Sequence, residues 1–571
     1  MKKIFPYIKP QIFAIIIGLT IKFIGTIMDL FLPYILAYII DDVVPTGNIN
    51  EVYFWGIAML IVSAIALIGN IVANRMAAKV ARNATRAIRH DLFTKISYLS
   101  SSEIDSFTIP SLEARLTSDT YHLHHMIGMM QRMGVRAPIL LIGGLIIAFS
   151  LEPALALVLL CLLPFMGYSV WTISKKGVPL YSSLQSSVDN MIRAVREHAS
   201  GIRVIKALSK VDYEKERFDE ANRDVVKNEK RAGLTMALTN PVMNIFLNTG
   251  LTLVILVGAY RVNAGVSETG KIIAFLSYFT IILNAMMSIT RIFVMTSKGS
   301  ASAKRIGDVL SSPGNLPIMA DEPIKTDAHI VFDDVTFSYN KKKDNIKNIS
   351  FSLKKGETLG IIGATGSGKS TVINLLMRLY DTDAGKIYIN GESVRSIPHE
   401  KLHKMFGTVF QGDVLFADTI KNNIDFGRNL TDEQIENAAK HACAFEFIDS
   451  LPDKFGHMLT GKGANLSGGQ KQRVLLARAF AGGNDILILD DSSSALDYKT
   501  DATLRRNIKE NYSDTTSIII AQRISSIKHA DLILMLDEGE IIGSGTHEDL
   551  MKNCPAYREI ADTQMGGGHF E

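Results

Sequence analysis

Long apolar runs dominate the first 300 residues and alternate with basic polar stretches, whereas the rest of the chain carries short β-rich runs separated by helical patterns. A helix needs about 20 mainly apolar residues to cross the hydrocarbon core of a bilayer. Six runs qualify, at 12–40, 52–73, 139–151, 154–173, 242–262 and 272–296; the third is short and is expected to begin before Pro138. Met1-Lys2-Lys3 could open a secretory signal, but the following run is too long and lacks a small-x-small cleavage site, so a retained first membrane helix is expected. Two connections, 75–136 and 175–231, contain few helix breakers and keep a helical apolar period, as at Leu92, Ile96 and Leu99. They read as membrane helices prolonged far into the cytosol. Each pair is joined by a short turn, one near 107–111 and one within 206–216, and these turns are the expected contact points for the second domain.

Lys and Arg resist translocation, so their placement predicts orientation. Segment 75–136 carries Arg75, Lys79, Arg82, Arg86, Arg89, Lys95, Arg115, Arg132 and Arg136, and 175–231 is similarly basic. The short connections at 41–51 and 150–153 carry Asp41, Asp42, Glu51 and Glu152 with no Lys or Arg. Both basic segments, both termini and the second domain are therefore expected in the cytosol.

Ionisable groups at membrane depth are costly and point to function. Lys22 and Asp29 lie on nearly the same face of the first run; they read either as cavity groups or as a snorkelling Lys with an interfacial Asp. Ser277, Thr280, Asn284, Met287 and Arg291 recur at three- and four-residue steps. That stripe is read as a translocation-cavity lining in preference to polar packing between helices, because facing lipid it would be expensive. Met126, Met129, Met130 and Met133 beside His122, His124 and His125 invite a metal reading, but packing by adaptable Met is favoured.

Turn-rich segments at 311–317 and 321–323 separate the halves. The expected division is a transmembrane domain at 1–300, a linker at 301–328 and a second domain at 329–565. Runs at 330–332, 358–362, 486–489 and 517–520 alternate with helical patterns and predict an α/β domain with a largely parallel core. Gly363-Ala364-Thr365-Gly366-Ser367-Gly368-Lys369-Ser370 follows one of these strands and matches the G-x-x-x-x-G-K-[ST] phosphate loop, which continues into Thr371. The glycines let backbone N–H groups converge on phosphate, Lys369 reaches the β and γ phosphates, Ser370 is a Mg²⁺ ligand, and the next helix points its positive end inward. The apolar strand 486–489 ends in Asp490, placed to hold Mg²⁺ directly or through water. Leu466-Ser467-Gly468-Gly469-Gln470 lies between the two motifs.

The order phosphate loop, Gln411, LSGGQ, Asp490 and Ser494-Ala495-Leu496-Asp497 resembles the ATP-binding cassette family, and with six preceding spans the whole chain resembles its exporters. EHASGIRVIKA at 197–207 and RLTSD at 115–119 agree with that resemblance. The implied fold is an α-helical polytopic membrane domain of six transmembrane helices with long cytosolic extensions, fused to an α/β P-loop NTPase cassette. The implied cofactors are ATP and Mg²⁺. The resemblance further implies a head-to-tail cassette dimer, with each ATP between one subunit's phosphate loop and the other's LSGGQ. By position, Tyr339 would stack on adenine, Gln411 would sense Mg²⁺ and the attacking water, and Ser467, Gly468 and Gly469 would cap the partner's γ-phosphate. A strand-edge aromatic is the plainer reading of Tyr339.

Three positions depart from the family pattern. Asp491 stands where efficient hydrolysers place Glu, one methylene longer; Gln522 stands where a His contacts the γ-phosphate; and Gly461 stands where many exporters have Glu. Misplacement of about 1 Å can lower a rate a hundredfold, and an amide can neither become cationic nor relay a proton. The expectation is a slow, ATP-retaining site on this chain's own phosphate loop, an LSGGQ that completes an efficient site on a different subunit, and hence a heterodimer; a slow homodimer is the alternative. An ATP-gated channel or regulatory membrane subunit is a further alternative. The transported class is left broad, as amphipathic small molecules, drugs, lipids or peptides. Composition adds little: the chain has 571 residues, a net charge of +4 that does not indicate nucleic acid, and three scattered cysteines without metal spacing. Residue usage and the fused layout suggest a bacterial plasma membrane.

Overall fold

The computed structural model describes residues 3–565, so Met1 and Lys2, at the start of the expected first membrane helix, lie outside the described residues. The chain divides into two compact units, one formed by Met1–Ser97 with Ile109–Ser312 and the other by Tyr98–Thr108 with Pro313–Glu571.

The first unit is helical. Among the described residues six helical segments are long and apolar enough to cross a membrane: Phe5–Thr46, Ile49–Ser97, Ile109–Leu151, Pro153–Ala207, Val211–Asn263 and Thr269–Leu310. A 55-residue helix such as Pro153–Ala207 is more than twice as long as the roughly 20 residues a bilayer requires, and the excess is the polar extension anticipated from the basic stretches. The last helix runs past Lys298, where the apolar pattern falters, to Leu310. The segment expected to be linker thus begins as helix, because Ala303, Ile306 and Val309 keep one buried face at three-residue spacing. Small residues bring the first two spans together: a Cβ on Gly25 would lie 3.3 Å from the backbone N of Asn70, and one on Gly69 would lie 3.5 Å from Gly25 Cα. Polar ties hold the remaining helices. Asp41 accepts from the backbone N–H of Lys271 at 2.8 Å, Arg261 pairs with Glu152 at 2.9 Å, and Asp119 accepts from Ser302 Oγ at 2.8 Å and from Arg305 Nε at 2.8 Å.

The second unit contains two sheets. Ten strands run in chain order as β1 Ile330–Phe337, β2 Ile346–Leu353, β3 Thr358–Gly363, β4 Ala384–Ile389, β5 Glu392–Ser393, β6 Phe406–Val409, β7 Ile486–Asp490, β8 Thr516–Ile520, β9 Leu532–Asp537 and β10 Glu540–Gly545. Strands β1, β2, β4 and β5 form an antiparallel sheet in the order β2-β1-β4-β5. The other six are ordered β10-β9-β3-β8-β7-β6, parallel except for β10 against β9. Strand β7, Ile-Leu-Ile-Leu-Asp, is buried along its whole length, as a parallel strand covered on both faces must be. One apolar core joins the two sheets through Val335, Ile361, Val372 and Ile488. A second, built from helices, includes Ile424, Ile435, Leu475 and Leu504.

The turn expected near 107–111 lies slightly earlier, as the helix Ser101–Phe107 capped by Ser100 and ended by Thr108 at φ 64°. This segment groups with the second unit: Tyr380 donates to Asp105 Oδ2 at 2.6 Å, and the backbone N–H of Gly314 donates to Glu103 Oε2 at 3.1 Å. The other connection, Leu208 to Lys210, belongs to the helical unit.

Candidate nucleotide site

Strand β3 ends at Gly363, and the loop to Ser367 leads into the helix Lys369–Leu376. Glycine is required here for definite reasons. A Cβ on Gly363 would fall 2.0 Å from Leu536 O, and Gly368, at φ +100°, would bring one to 2.7 Å from Ile346 Cγ2. Lys369 Nζ donates to two loop carbonyls, Gly363 O at 2.9 Å and Ala364 O at 2.7 Å. Burial pulls its ammonium below the usual lysine range, and the neighbouring carboxylates Asp490 and Asp491 oppose that shift. Ser367 Oγ is buried without a hydrogen-bond partner among the described residues, a cost a phosphate oxygen would relieve.

Ser370 Oγ donates to Asp490 Oδ2 at 2.8 Å, joining the first turn of that helix to the end of β7. Two hard oxygen donors side by side suit Mg²⁺, which takes one or two protein ligands and completes its shell with phosphate and water. Burial raises the Asp490 carboxyl above its ordinary range, partly offset by Ser370, by Lys369 and by the backbone N–H of Gln411. Thr371 is buried in the helix after the loop, and its Oγ1 lies 3.4 Å from Tyr339 OH; Asn374 Nδ2 donates to the same phenol at 3.1 Å. Tyr339 itself is 42% exposed and meets Tyr380 edge-on at 5.0 Å. An exposed aromatic face therefore stands beside the phosphate loop.

Asp491 adopts a left-handed backbone conformation, φ 50°, and its carboxylate accepts a hydrogen bond from Gln522 Nε2 at 3.0 Å. The two residues expected to depart from the family pattern thus hold each other. Burial pushes the Asp491 carboxyl up, opposed by Arg523 and Lys369. Ser467 caps the helix Gly468–Phe480 in a reciprocal box: its Oγ accepts from Gln470 N–H at 3.3 Å, and Gln470 Oε1 accepts from Ser467 N–H at 2.9 Å. Ser467 and Gly468 are exposed while Leu466, Gly469 and Gln470 are half-buried, so a helix N-terminus faces outward, ready for an anion. Gly461 is exposed with nothing within 4 Å of a Cβ placed on it, so packing does not demand glycine there.

In the helical unit, Lys22 donates to Asn70 Oδ1 at 2.8 Å and Asn74 Oδ1 at 3.1 Å, and Asn70 donates to Asp29 Oδ2 at 3.1 Å. Asp29 also pairs with Arg136 at 3.0 Å. Lys22 does not snorkel, since it is 3% exposed. The stripe on the last helix divides. Asn284 lines a cavity with Lys22, whereas Ser277 and Thr280 return their hydroxyls to Ile273 O and Leu276 O, Met287 packs with Met166 and Leu283, and Arg291 is exposed. Polar spacing on one helix could not reveal Asn70, Asn74, Arg132 and Arg136, which reach this cavity or its network from two other helices. Their signal was present as amides four residues apart at the end of an apolar run and as cations two and six residues before Pro138. The neighbouring Met and His cluster divides: Met126 is buried, Met129 and Met133 line the cavity, Met130 is exposed, and His124 Nδ1 lies 3.4 Å from Thr85 Oγ1.

Residues 15–286 match the family model of the ABC transporter transmembrane region, and residues 346–494 match that of the ABC transporter. An uncharacterized ABC transporter ATP-binding protein of Bacillus subtilis, YfiB, is 34% identical over 568 residues, 99% of each chain. The chain belongs to the ABC transporter family. Another uncharacterized ABC transporter ATP-binding protein, from Mycobacterium tuberculosis, is 32% identical over 98% of this chain and 97% of its own. A solved chain described as a bacterial Atm1-family ABC exporter with ATP bound has a TM-score of 0.82 and 22% identity, covering 98% of this chain and 99% of that one; the likeness is one of fold. This ABC transporter is a multi-pass membrane protein whose fused cassette binds ATP to drive transport.

Proposed function

We propose that the chain is one half of an ATP-driven exporter that moves amphipathic small molecules, drugs, lipids or peptides out across a bacterial plasma membrane, paired with a different half-transporter. In this reading the cassette and both termini are cytosolic, the transmembrane domain covers 1–300 with its helix continuing toward the linker, and the nucleotide-binding domain covers 329–565. Backbone N–H groups from Gly363 to Ser370 and the Lys369 ammonium hold the phosphates, Ser370 and Asp490 hold Mg²⁺, and Tyr339 stacks on the base. Gln411 positions the water, and Ser467 to Gly469 cap the γ-phosphate bound by the partner.

The observation that carries the asymmetric reading is the 3.0 Å bond from Gln522 to Asp491. The bond takes one of the carboxylate's acceptor positions, and an Asp side chain is one methylene shorter than Glu, so in this reading Asp491 is poorly placed to polarise the attacking water. Gln522 cannot supply the positive charge that a protonated His brings to the transition state. ATP bound to this phosphate loop is therefore held and turned over slowly, while this chain's LSGGQ assists hydrolysis on the partner. Copurification tests the pairing. A tagged chain should bring a second half-transporter with it and hydrolyse ATP only as that pair; a homodimer of this chain that hydrolyses ATP briskly contradicts the proposal.

A further inference from the structure

The proposed exporter leaves its cargo broad, and one cavity in the helical unit narrows it. The cavity holds about 430 Å³, within the span of small-molecule sites, roughly 300 to 1,000 Å³. Its charges come from Lys22 on the first span and from Arg132 and Arg136 on the third; Met129, Met133 and Leu140 supply apolar wall. Met129, Arg132, Arg136 and Leu140 succeed one another at three- and four-residue steps, so one helix face presents cation and apolar surface together.

The charge is unbalanced. Arg136 has a counter-ion in Asp29, at 3.0 Å. Lys22 is held by two amide oxygens and Arg132 by the Gly128 carbonyl at 3.1 Å, and among the described residues no carboxylate lies within 4.0 Å of either cation. No Asp or Glu lines the cavity. Neutral oxygens satisfy hydrogen-bond donors but not charge, and Asp29, already paired with Arg136, is one carboxylate beside three cations, so the cavity keeps a net positive charge that an anion would offset.

We infer that this cavity takes an amphipathic organic anion, with a carboxylate, sulfonate or phosphate group at Arg132 and Lys22 and an apolar body against Met129, Met133 and Leu140. This rests on the exporter reading for its transport meaning, though binding itself does not require it. A small soluble anion is the intended occupant; an anionic lipid headgroup shares the chemistry.

The test uses the complete assembly, purified through a tag on this chain into nanodiscs of phosphatidylcholine. Two probes differ only by the anion: 8-anilino-1-naphthalenesulfonate and its neutral counterpart N-phenyl-1-naphthylamine. Titration calorimetry, corrected for empty nanodiscs, should show saturable binding of the sulfonate that weakens about tenfold in Arg132→Gln, the scale of one lost charge-assisted hydrogen bond, and recovers in Arg132→Lys. The neutral probe should show no dependence on residue 132. Competition by added phosphatidylglycerol supports the site and assigns it a lipid anion, whereas absence of competition supports the soluble class. Equal binding of both probes, sulfonate binding indifferent to Arg132→Gln, or no saturable sulfonate binding overturns the inference. ATP-dependent uptake of the sulfonate into inside-out vesicles is scored separately. Charge-dependent binding with no ATP-driven movement contradicts the exporter reading and leaves the anion site standing.

Discussion

Asp491 and Gln522, the two positions expected to depart from the family pattern, are joined by a hydrogen bond of 3.0 Å. The amide of one occupies the carboxylate of the other, so their effects on hydrolysis should not add. Asp491→Glu alone should raise the rate at this site only modestly while Gln522 still engages the acid. Asp491→Glu with Gln522→His should raise it at least about tenfold, since correct placement of one catalytic group is worth up to a hundredfold; single-turnover hydrolysis measures both, and additive single effects would argue against a coupled pair. At Gly368 the constraint is steric. Gly368→Ala, at φ +100° and with a Cβ 2.9 Å from Asn345 O, should cost the cassette about 1–3 kcal/mol and weaken nucleotide binding, read by thermal melting with and without ATP. Motif residues such as Lys369, Ser370 and Asp490 were legible in the sequence because phosphate and Mg²⁺ chemistry constrains both their identity and their spacing. The Gln522 to Asp491 bond was not, because it joins the ends of two strands thirty-one residues apart, and Lys22 could be marked as unusual but not given its partners.

Whole elements show the same split between what local pattern specifies and what packing decides. Strand β7 is apolar at every position before Asp490, and the long helices of the first unit carry enough hydrophobic residues to be read directly. Their ends are less legible. The last helix outlasts its apolar stripe by packing Ala303, Ile306 and Val309, and the short helix Ser101–Phe107 groups with the cassette because Tyr380 and Gly314 meet it across long sequence separations. Tyr380→Phe should loosen that contact by about 1–2 kcal/mol; measured transport per ATP should fall while ATP affinity is unchanged, and an unaltered ratio would deny the contact a coupling role. Desolvated histidines should make the cassette sensitive to acid. His329, between the two sheets with Nδ1 2.7 Å from Thr516 Oγ1, has its pKa lowered from 6.5 by burial, as do His403 and His441. The unfolded chain then binds protons near pH 6.5 that the folded one refuses, so stability falls as pH drops below 6.5, by at most about 1.4 kcal/mol per histidine per pH unit. The cassette's melting temperature should be lower at pH 5.5 than at pH 7.5, with a shallower dependence in His329→Gln; a rise on acidification would contradict this.

At the scale of the whole molecule, family membership establishes an ATP-coupled transporter chain, and the proposals concern its asymmetry and its cargo. On these proposals an anion-selective cavity would belong to one half of the assembly, and so would a phosphate loop that holds ATP beside a poor catalytic pair. The chain would then contribute to turnover chiefly through its LSGGQ, whose reciprocal Ser467 and Gln470 cap presents an exposed helix N-terminus. Vanadate trapping in the purified assembly, with photoactivatable ATP followed by separation of the subunits, tests that division most directly. The expected result is trapped ADP on the partner subunit and unhydrolysed ATP on this chain; vanadate-trapped ADP on this chain in equal amount would contradict it.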